Sequence, residues 1–288
     1  MNMKRLVAVL TLAAALLATS LPALAAEAAP APKVKESTQK ILDLLGAEHT
    51  KQMMQNVALF KQAGLSFQES LTVPLRDPAK CKSEEQLRVL EGMYTFDSNY
   101  ALVFGQKEAF QRAQQLLANE ILEQLGLRDR MDVRNLPEDK LRQVLEDPYS
   151  DASRSIIVEH RMGEIRRLII QADKDPELMA LVLDGSYGAM IESLYVACSL
   201  SLTSDAGQEI VALFNEQANR LKTMSRALDA FAQDKTMAGI LDIKGRQQLL
   251  QPVIALLDAR KGNLGLSDAA EILATIKPER DRFALGCK

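Results

Sequence analysis

The 288-residue chain has no tryptophan, two histidines and three cysteines, and aromatic residues make up 5% of it. Without tryptophan and with few other rings, it lacks the aromatic faces on which a sugar-binding platform usually stacks its ligand, although sugars are not excluded. The two histidines, His49 and His160, are too few for most metal centres, and the Glu-x-x-His spacing of di-iron bundles is missing. His160 and Glu164 stand one turn apart and can begin a metal site, but a histidine on a partly exposed helix face is the simpler reading. No metal or other cofactor is expected. There is no Cys-x-x-Cys, which argues against a thiol oxidoreductase. No Gly-x-Ser-x-Gly elbow, His-Glu-x-x-His, Walker loop, haem-attaching Cys-x-x-Cys-His or EF-hand loop occurs. These absences remove the usual routes to assigning an enzyme. Positive charge is not in excess either. Lys and Arg total 35 against 38 Asp and Glu, so the chain has no electrostatic case for nucleic acid, which needs clustered cations.

The N-terminus, in contrast, is informative. Lys4 and Arg5 precede an apolar run over residues 6–17, then come Pro22 and the small-residue pattern Ala23-Leu24-Ala25. This is the layout of a secretory signal peptide with cleavage after Ala25, and the expected destination is the periplasm. The apolar run is shorter than the ~20 residues needed to span a bilayer, and the first cysteine, Cys81, is far from the cleavage point, which argues against a lipoprotein. No later stretch is long and apolar enough to cross a membrane. Losing Lys4 and Arg5 makes the formal charge of −3 more negative by two. The domain organisation expected is a signal peptide over 1–25, an Ala/Pro-rich flexible lead-in over 26–34, and one all-α domain over 35–288.

In an oxidising compartment the cysteines can pair. Cys81 lies in a polar, proline-containing loop, Cys287 lies next to the C-terminus after Gly286, and Cys198 sits inside the apolar run Leu194-Tyr195-Val196-Ala197-Cys198. Two loop cysteines can adjust to disulfide geometry, whereas a mid-helix thiol packs as a small apolar group. The expected pair is therefore Cys81–Cys287 with Cys198 free; three free thiols is the alternative.

Helical periodicity dominates the chain, and no run of alternating β-branched residues appears. About ten helices are expected: 36–45 and 48–62 as a hairpin broken at Gly46, 83–104 opened by the capping box Ser83-Glu84-Glu85-Gln86, 107–125, a short one starting at Pro137, 150–172, 176–202, 203–231 as the longest, 244–259 with Pro252 as a kink, and 267–285. A loop joins 64 to 82. The architecture expected is an irregular helical bundle.

A self-similarity suggests two related helical halves, with units near 83–125 and 176–231. At a constant offset of 93, Glu84 matches Glu177, Leu90 matches Leu183, Gly92 matches Gly185 and Tyr94 matches Tyr187. Each glycine sits inside a helix, where it costs ~1 kcal/mol relative to alanine. That cost often has a packing reason, because glycine lets another backbone come close. The units would pack about a pseudo-twofold axis; chance similarity of two amphipathic helices is the alternative.

Past each Gly-x-Tyr the helices carry polar residues: Asp97, Asn99 and Tyr100 in the first, Glu192 and Tyr195 in the second. Tyr94, Asp97 and Tyr100 share one face by the three-to-four rule. If the helices face each other, Tyr94, Asp97, Asn99, Tyr100, Tyr187, Glu192 and Tyr195 converge as hydrogen-bonding groups for a small cationic or polyhydroxylated ligand. The competing reading is that they are buried polar groups satisfied within the fold, which fix helix register. The Arg161, Arg166 and Arg167 cluster, with Glu159 and Glu164 nearby, reads as a solvated salt-bridged face, and the pair Met53-Met54 reads as core. The segment from Gly92 to Ala101 and its partner from Gly185 to Tyr195 resemble motifs in uncharacterised exported helical proteins of Gram-negative bacteria. That resemblance implies a periplasmic all-helical protein and supplies no catalytic residue. Three functions stay open: a non-enzymatic binding or interaction protein of the cell envelope, with a small polar ligand or an envelope protein as partner; a scaffold without a ligand; and a hydrolase or lyase using Asp97 or Glu192 as general base.

Overall fold

The computed structural model describes residues 34–44, 65–131, 137–147, 150–204, 214–261 and 263–287. Within them the chain is an all-α bundle of eleven helices with no strand. They are α1 (Glu36–Leu44), α2 (Glu84–Val103), α3 (Lys107–Leu116), α4 (Leu122–Gln124), α5 (Glu138–Glu146), α6 (Asp151–Ala172), α7 (Pro176–Thr203), α8 (Phe214–Phe231), α9 (Lys235–Ile240), α10 (Ile243–Arg260) and α11 (Leu266–Ala284). The signal-peptide segment, the expected helix over 48–62 and Met53-Met54 fall outside the described residues, as does most of the expected lead-in.

Local chemistry sets the helix starts. Ser83 Oγ accepts the Gln86 N–H and caps α2, Ser150 caps α6 through Ser153 N–H, and Asp175 accepts from Glu177 and Leu178 while Pro176 opens α7. Each cap satisfies a backbone donor that the first helical turn leaves without a partner. Gly105 (φ 71°) and Gly126 (φ 62°) end the α3 region on either side by entering the left-handed conformation that glycine adopts without a Cβ clash.

The longest helix described is α7, with 28 residues; it ends at Thr203, where Ser204 is extended (φ −111°, ψ 146°), close to the expected boundary between 176–202 and 203–231. Of the expected helix 203–231, Thr203 belongs to α7, residues 205–213 lie outside the described residues, and α8 is described from Phe214. The segment 107–125 is not one regular helix. A π-turn over Leu117–Ile121 separates α3 from α4, one added residue per turn that apolar periodicity does not reveal. The short helix α9 was not expected.

Helix α7 is the centre of the bundle. It is apolar nearly all round and buried along almost its whole length, as expected for a core helix. α2 makes the most extensive contact with it, followed by α11 and then α6. The α2–α7 approach is a backbone-to-backbone crossing at glycine. A Cβ on Gly92 would overlap the Gly185 carbonyl and lie 2.8 Å from Gly185 Cα, and one on Gly188 would overlap the Val89 carbonyl. Glycine at these positions is therefore a packing requirement. Cys81 and Cys287 are joined by a disulfide that ties the loop before α2 to the residues after α11, and Cys198 is a buried free thiol on α7. No described helix is long and apolar enough to cross a membrane.

Candidate functional site

Three helices and one loop build the site. Asp97 comes from α2, Glu192 from α7 and Arg280 from α11, and residues 65–77 run across them as an extended segment with one 3-10 turn at Glu69–Leu71. Tyr94, Asp97 and Tyr100 lie three residues apart, so they form a row on one face of α2. That row faces the loop and binds its backbone. Tyr100 Oη accepts the Gln68 N–H (3.1 Å). Asp97 Oδ2 accepts the Val73 N–H (2.8 Å). Tyr94 Oη donates to Pro74 O (2.9 Å) and accepts from Arg76 N–H (3.2 Å). Arg280 Nη2 adds a bond to Leu71 O (3.2 Å). An extended segment outside any sheet has no ladder partner for its amides, and this row of side chains takes the place of a neighbouring strand.

Beneath the loop the charges are buried. Arg280 grips Glu192 with two hydrogen bonds, Nε to Oε2 (2.9 Å) and Nη2 to Oε1 (2.8 Å), the bidentate geometry that favours arginine over lysine. The guanidinium stacks on the Tyr195 ring at 4.1 Å, a cation–π contact. Burial is the largest influence on Arg280 and works against its charge, but the Glu192 hydrogen bonds and the Glu192 charge together outweigh it and push its pKa up. Asp97 lacks such a partner. Its Oδ1 is shielded from water and makes no hydrogen bond. Burial, and after it the Glu192 charge, holds the Asp97 carboxyl well above the usual carboxylate range; the Val73 N–H and the more distant Arg280 charge oppose this and lose. Burial, only partly offset by the Arg76 hydrogen bond, also pushes the Tyr94 hydroxyl up to about 12.

Asp97 and Tyr94 line a cleft of about 310 Å³ between the loop and α3. Its walls are mainly small or apolar, including Val73, Ala101, Ala109 and Ala113, and its rim carries Glu69 and Arg112, which pair at 3.1 Å. That volume is at the lower end of ligand pockets.

Of the seven residues expected to converge, the structure brings Tyr94, Asp97, Tyr100, Glu192 and Tyr195 to the loop-and-arginine centre, and among these five Asp97 has the buried polar atom without a hydrogen bond. Asn99 is buried on α2 and takes no part in the ladder. Tyr187 departs from the expected convergence. It turns toward α10 and α11, where its hydroxyl meets Glu279 (3.3 Å) and Arg246 lies over its ring (5.1 Å). It belongs to a second buried ionic centre, in which Asp184 Oδ2 accepts from Arg88 Nε (2.9 Å), Asp184 Oδ1 accepts from Arg246 Nη1, and Arg246 also reaches Glu85 (3.1 Å).

Arg280, Arg246, Arg88 and Asp184, and the part that the expected loop plays in the site, are absent from the sequence-based expectations. The signal was present: Ile272, Ile276, Arg280 and Phe283 form one apolar stripe, as do Ile243, Arg246, Leu250 and Val253, and a charge on such a stripe must find a buried partner. The expected His160–Glu164 pair is a weak 3.9 Å contact, and Arg167 also bonds Glu164. Among the described residues no group of three or more His, Cys, Asp or Glu side chains could hold a metal ion. No protein-family model matches this chain, and no match is found among curated proteins or solved structures.

Proposed function

We propose that the chain is an exported, periplasmic binding protein of the cell envelope, non-enzymatic, whose cleft between residues 67–75 and α3 receives a small organic ligand. The observation that carries this reading is Asp97: a carboxyl buried to within 5% of full burial, with one oxygen lacking any hydrogen bond, at a residue that lines an open cleft. Buried polar atoms are nearly always paired, and one left over beside a cleft fits a partner that arrives from outside. The signal-peptide layout before Ala26 supports the compartment, and the Cys81–Cys287 disulfide suits an oxidising one. Glu192 is a poor general base, because Arg280 engages both its oxygens.

The ligand-free scaffold remains a second reading, favoured by one specific observation. The hydroxyls of Tyr94 and Tyr100 are engaged by loop backbone, so most of this polar row stabilises the fold with nothing bound. Native mass spectrometry of protein released by osmotic shock, beside an Ala109→Phe variant that fills the cleft from a partly exposed position, separates the two. A ligand protein carries extra mass that leaves on denaturation and is lost in the variant. A bare polypeptide mass in both overturns the binding reading. Retention of most of the protein in the cytoplasm overturns the compartment.

A further inference from the structure

We propose that the ligand is a small organic ammonium ion, whose nitrogen donates to Asp97 Oδ1 while a compact apolar body lies against Val73, Ala101, Ala109 and Ala113. This rests on the reading of the cleft as a ligand site and adds the chemical class. The argument is one of elimination among polar partners. Tyr94 Oη already donates to Pro74 and accepts from Arg76. Thr72 Oγ1 donates to Glu69 O (2.8 Å). Arg112 is paired with Glu69 at the rim. The Val73 amide is bonded to Asp97. A polyhydroxylated ligand needs several convergent donors and acceptors, and among the buried polar atoms of the residues lining this cleft only Asp97 Oδ1 lacks a hydrogen bond. An anion would meet Asp97 and Glu69 with the nearest rim cation already paired. A single positively charged nitrogen needs one shielded acceptor with charge to offer, and Asp97 is the buried one left.

The local charge agrees. Arg280 pairs with Glu192 and Arg112 with Glu69, so an ionised Asp97 adds a negative charge that neither arginine pairs. An incoming cation cancels it. Shielding from bulk water strengthens the ion pair and makes ligand entry coincide with a small shift of residues 72–75 against Asp97. Because the empty site favours the protonated carboxyl, binding is an exchange. The ammonium ion enters, the Asp97 proton leaves to solvent, and no covalent bond to the ligand forms or breaks. Affinity therefore rises with pH until Asp97 is ionised in the free protein.

The test uses n-butylammonium chloride, with 1-butanol as its neutral match and butyrate as its anionic one, titrated into the oxidised protein by amide NMR. The expected result is binding of the ammonium ion at the cleft, with the alcohol about tenfold weaker or worse, as a lost charged hydrogen bond implies, and butyrate inactive. Affinity for the ammonium ion rises with pH above the ordinary aspartate range, and Asp97→Asn loses both the preference and the pH dependence while its amide spectrum stays that of the folded protein. Equal or tighter binding of the alcohol or butyrate, or an unchanged preference in Asp97→Asn, overturns the inference. Should none of the three bind while native mass still shows a species displaced by Ala109→Phe, the cation inference fails and the cleft reading stands. Bare mass in both proteins removes the cleft reading itself. A thermal melt of Asp97→Asn and Ala109→Phe beside wild type separates lost binding from lost folding.

Discussion

Arg88, Asp184 and Arg246 lie before the crossing glycines in the sequence of α2 and α7 or pack against those positions; Asp97, Glu192 and Arg280 do the same after them. Both groups are buried and both take one arginine from a late helix; the first bonds α2 directly to α7, and the second bonds α11 to α7 and sets Asp97 of α2 beneath the loop. They differ in what is left over. At the first centre each Asp184 oxygen has an arginine, and burial raises its pKa against two opposing cations. At the second, Arg280 gives hydrogen bonds to both oxygens of Glu192 and to Leu71 O, and Asp97 is left with a single backbone amide. The first arrangement pairs both carboxylate oxygens and leaves over one buried donor, Arg246 Nε. The second leaves over a carboxylate oxygen, Asp97 Oδ1, at a residue that lines a cleft, and an acceptor left over beside a cleft is what makes the second the candidate binding site.

Breaking either arginine pair should produce the largest loss. Asp184→Ala removes the buried counter-charge shared by two guanidiniums, leaving them the more exposed Glu84 and Glu85, and Arg280→Met leaves buried Glu192 without its arginine; each should cost about 3–5 kcal/mol in urea unfolding. A loss below about 1 kcal/mol for either would mean that the centre is not buried in solution. Removing the disulfide with Cys81→Ser and Cys287→Ser should cost about 2–5 kcal/mol, and the loss should fall on the loop centre first. Hydrogen exchange at Gln68, Val73 and Arg76 should speed up before exchange at α10 does. Uniform acceleration would contradict a local tether. Gly92→Ala drives a methyl group into the Gly185 backbone and should cost about 1–3 kcal/mol, loosening both centres together because both hang on the one crossing.

The smallest effect is the most discriminating. The folded-state pKa of Asp97 is raised, so its contribution to stability is fully present below its unfolded value of about 4 and is lost as pH rises through the folded value. Asp97→Asn keeps the shape and an oxygen for the Val73 N–H but cannot ionise. Relative to the variant, wild type should lose stability as pH increases from about 4 upward, read from urea midpoints at a series of pH values. A difference that stays constant with pH would place Asp97 in a solvated or paired environment. Asp184→Asn, in contrast, should be destabilising at every pH, since it weakens two arginine contacts.

Much of the fold is legible in the sequence because its signals are local. Ser83, Ser150 and Pro176 announce helix starts whatever the tertiary context, and the glycines at 92 and 185 signal close packing by their cost inside helices. The π-turn at Leu117–Ile121 was not legible, since it does not change apolar periodicity enough to register. At the site, the row Tyr94, Asp97 and Tyr100 was readable as a face. Its partner was not, because residues 65–77 contribute backbone amides and carbonyls, which carry no sequence signature. Arg280 was readable in principle from its place on an apolar stripe. Its pairing with Glu192 spans 88 residues, and only the packing of α11 on α7 decides it.

The account turns on Asp97 being a buried carboxyl without a second partner. A carbon-detected NMR titration of the Asp97 carboxyl in the oxidised protein tests that directly. The structure predicts a carboxyl that stays protonated well above the ordinary aspartate range and becomes ionised at lower pH when n-butylammonium is added. Titration in the ordinary range near 4, unmoved by the amine, would contradict it.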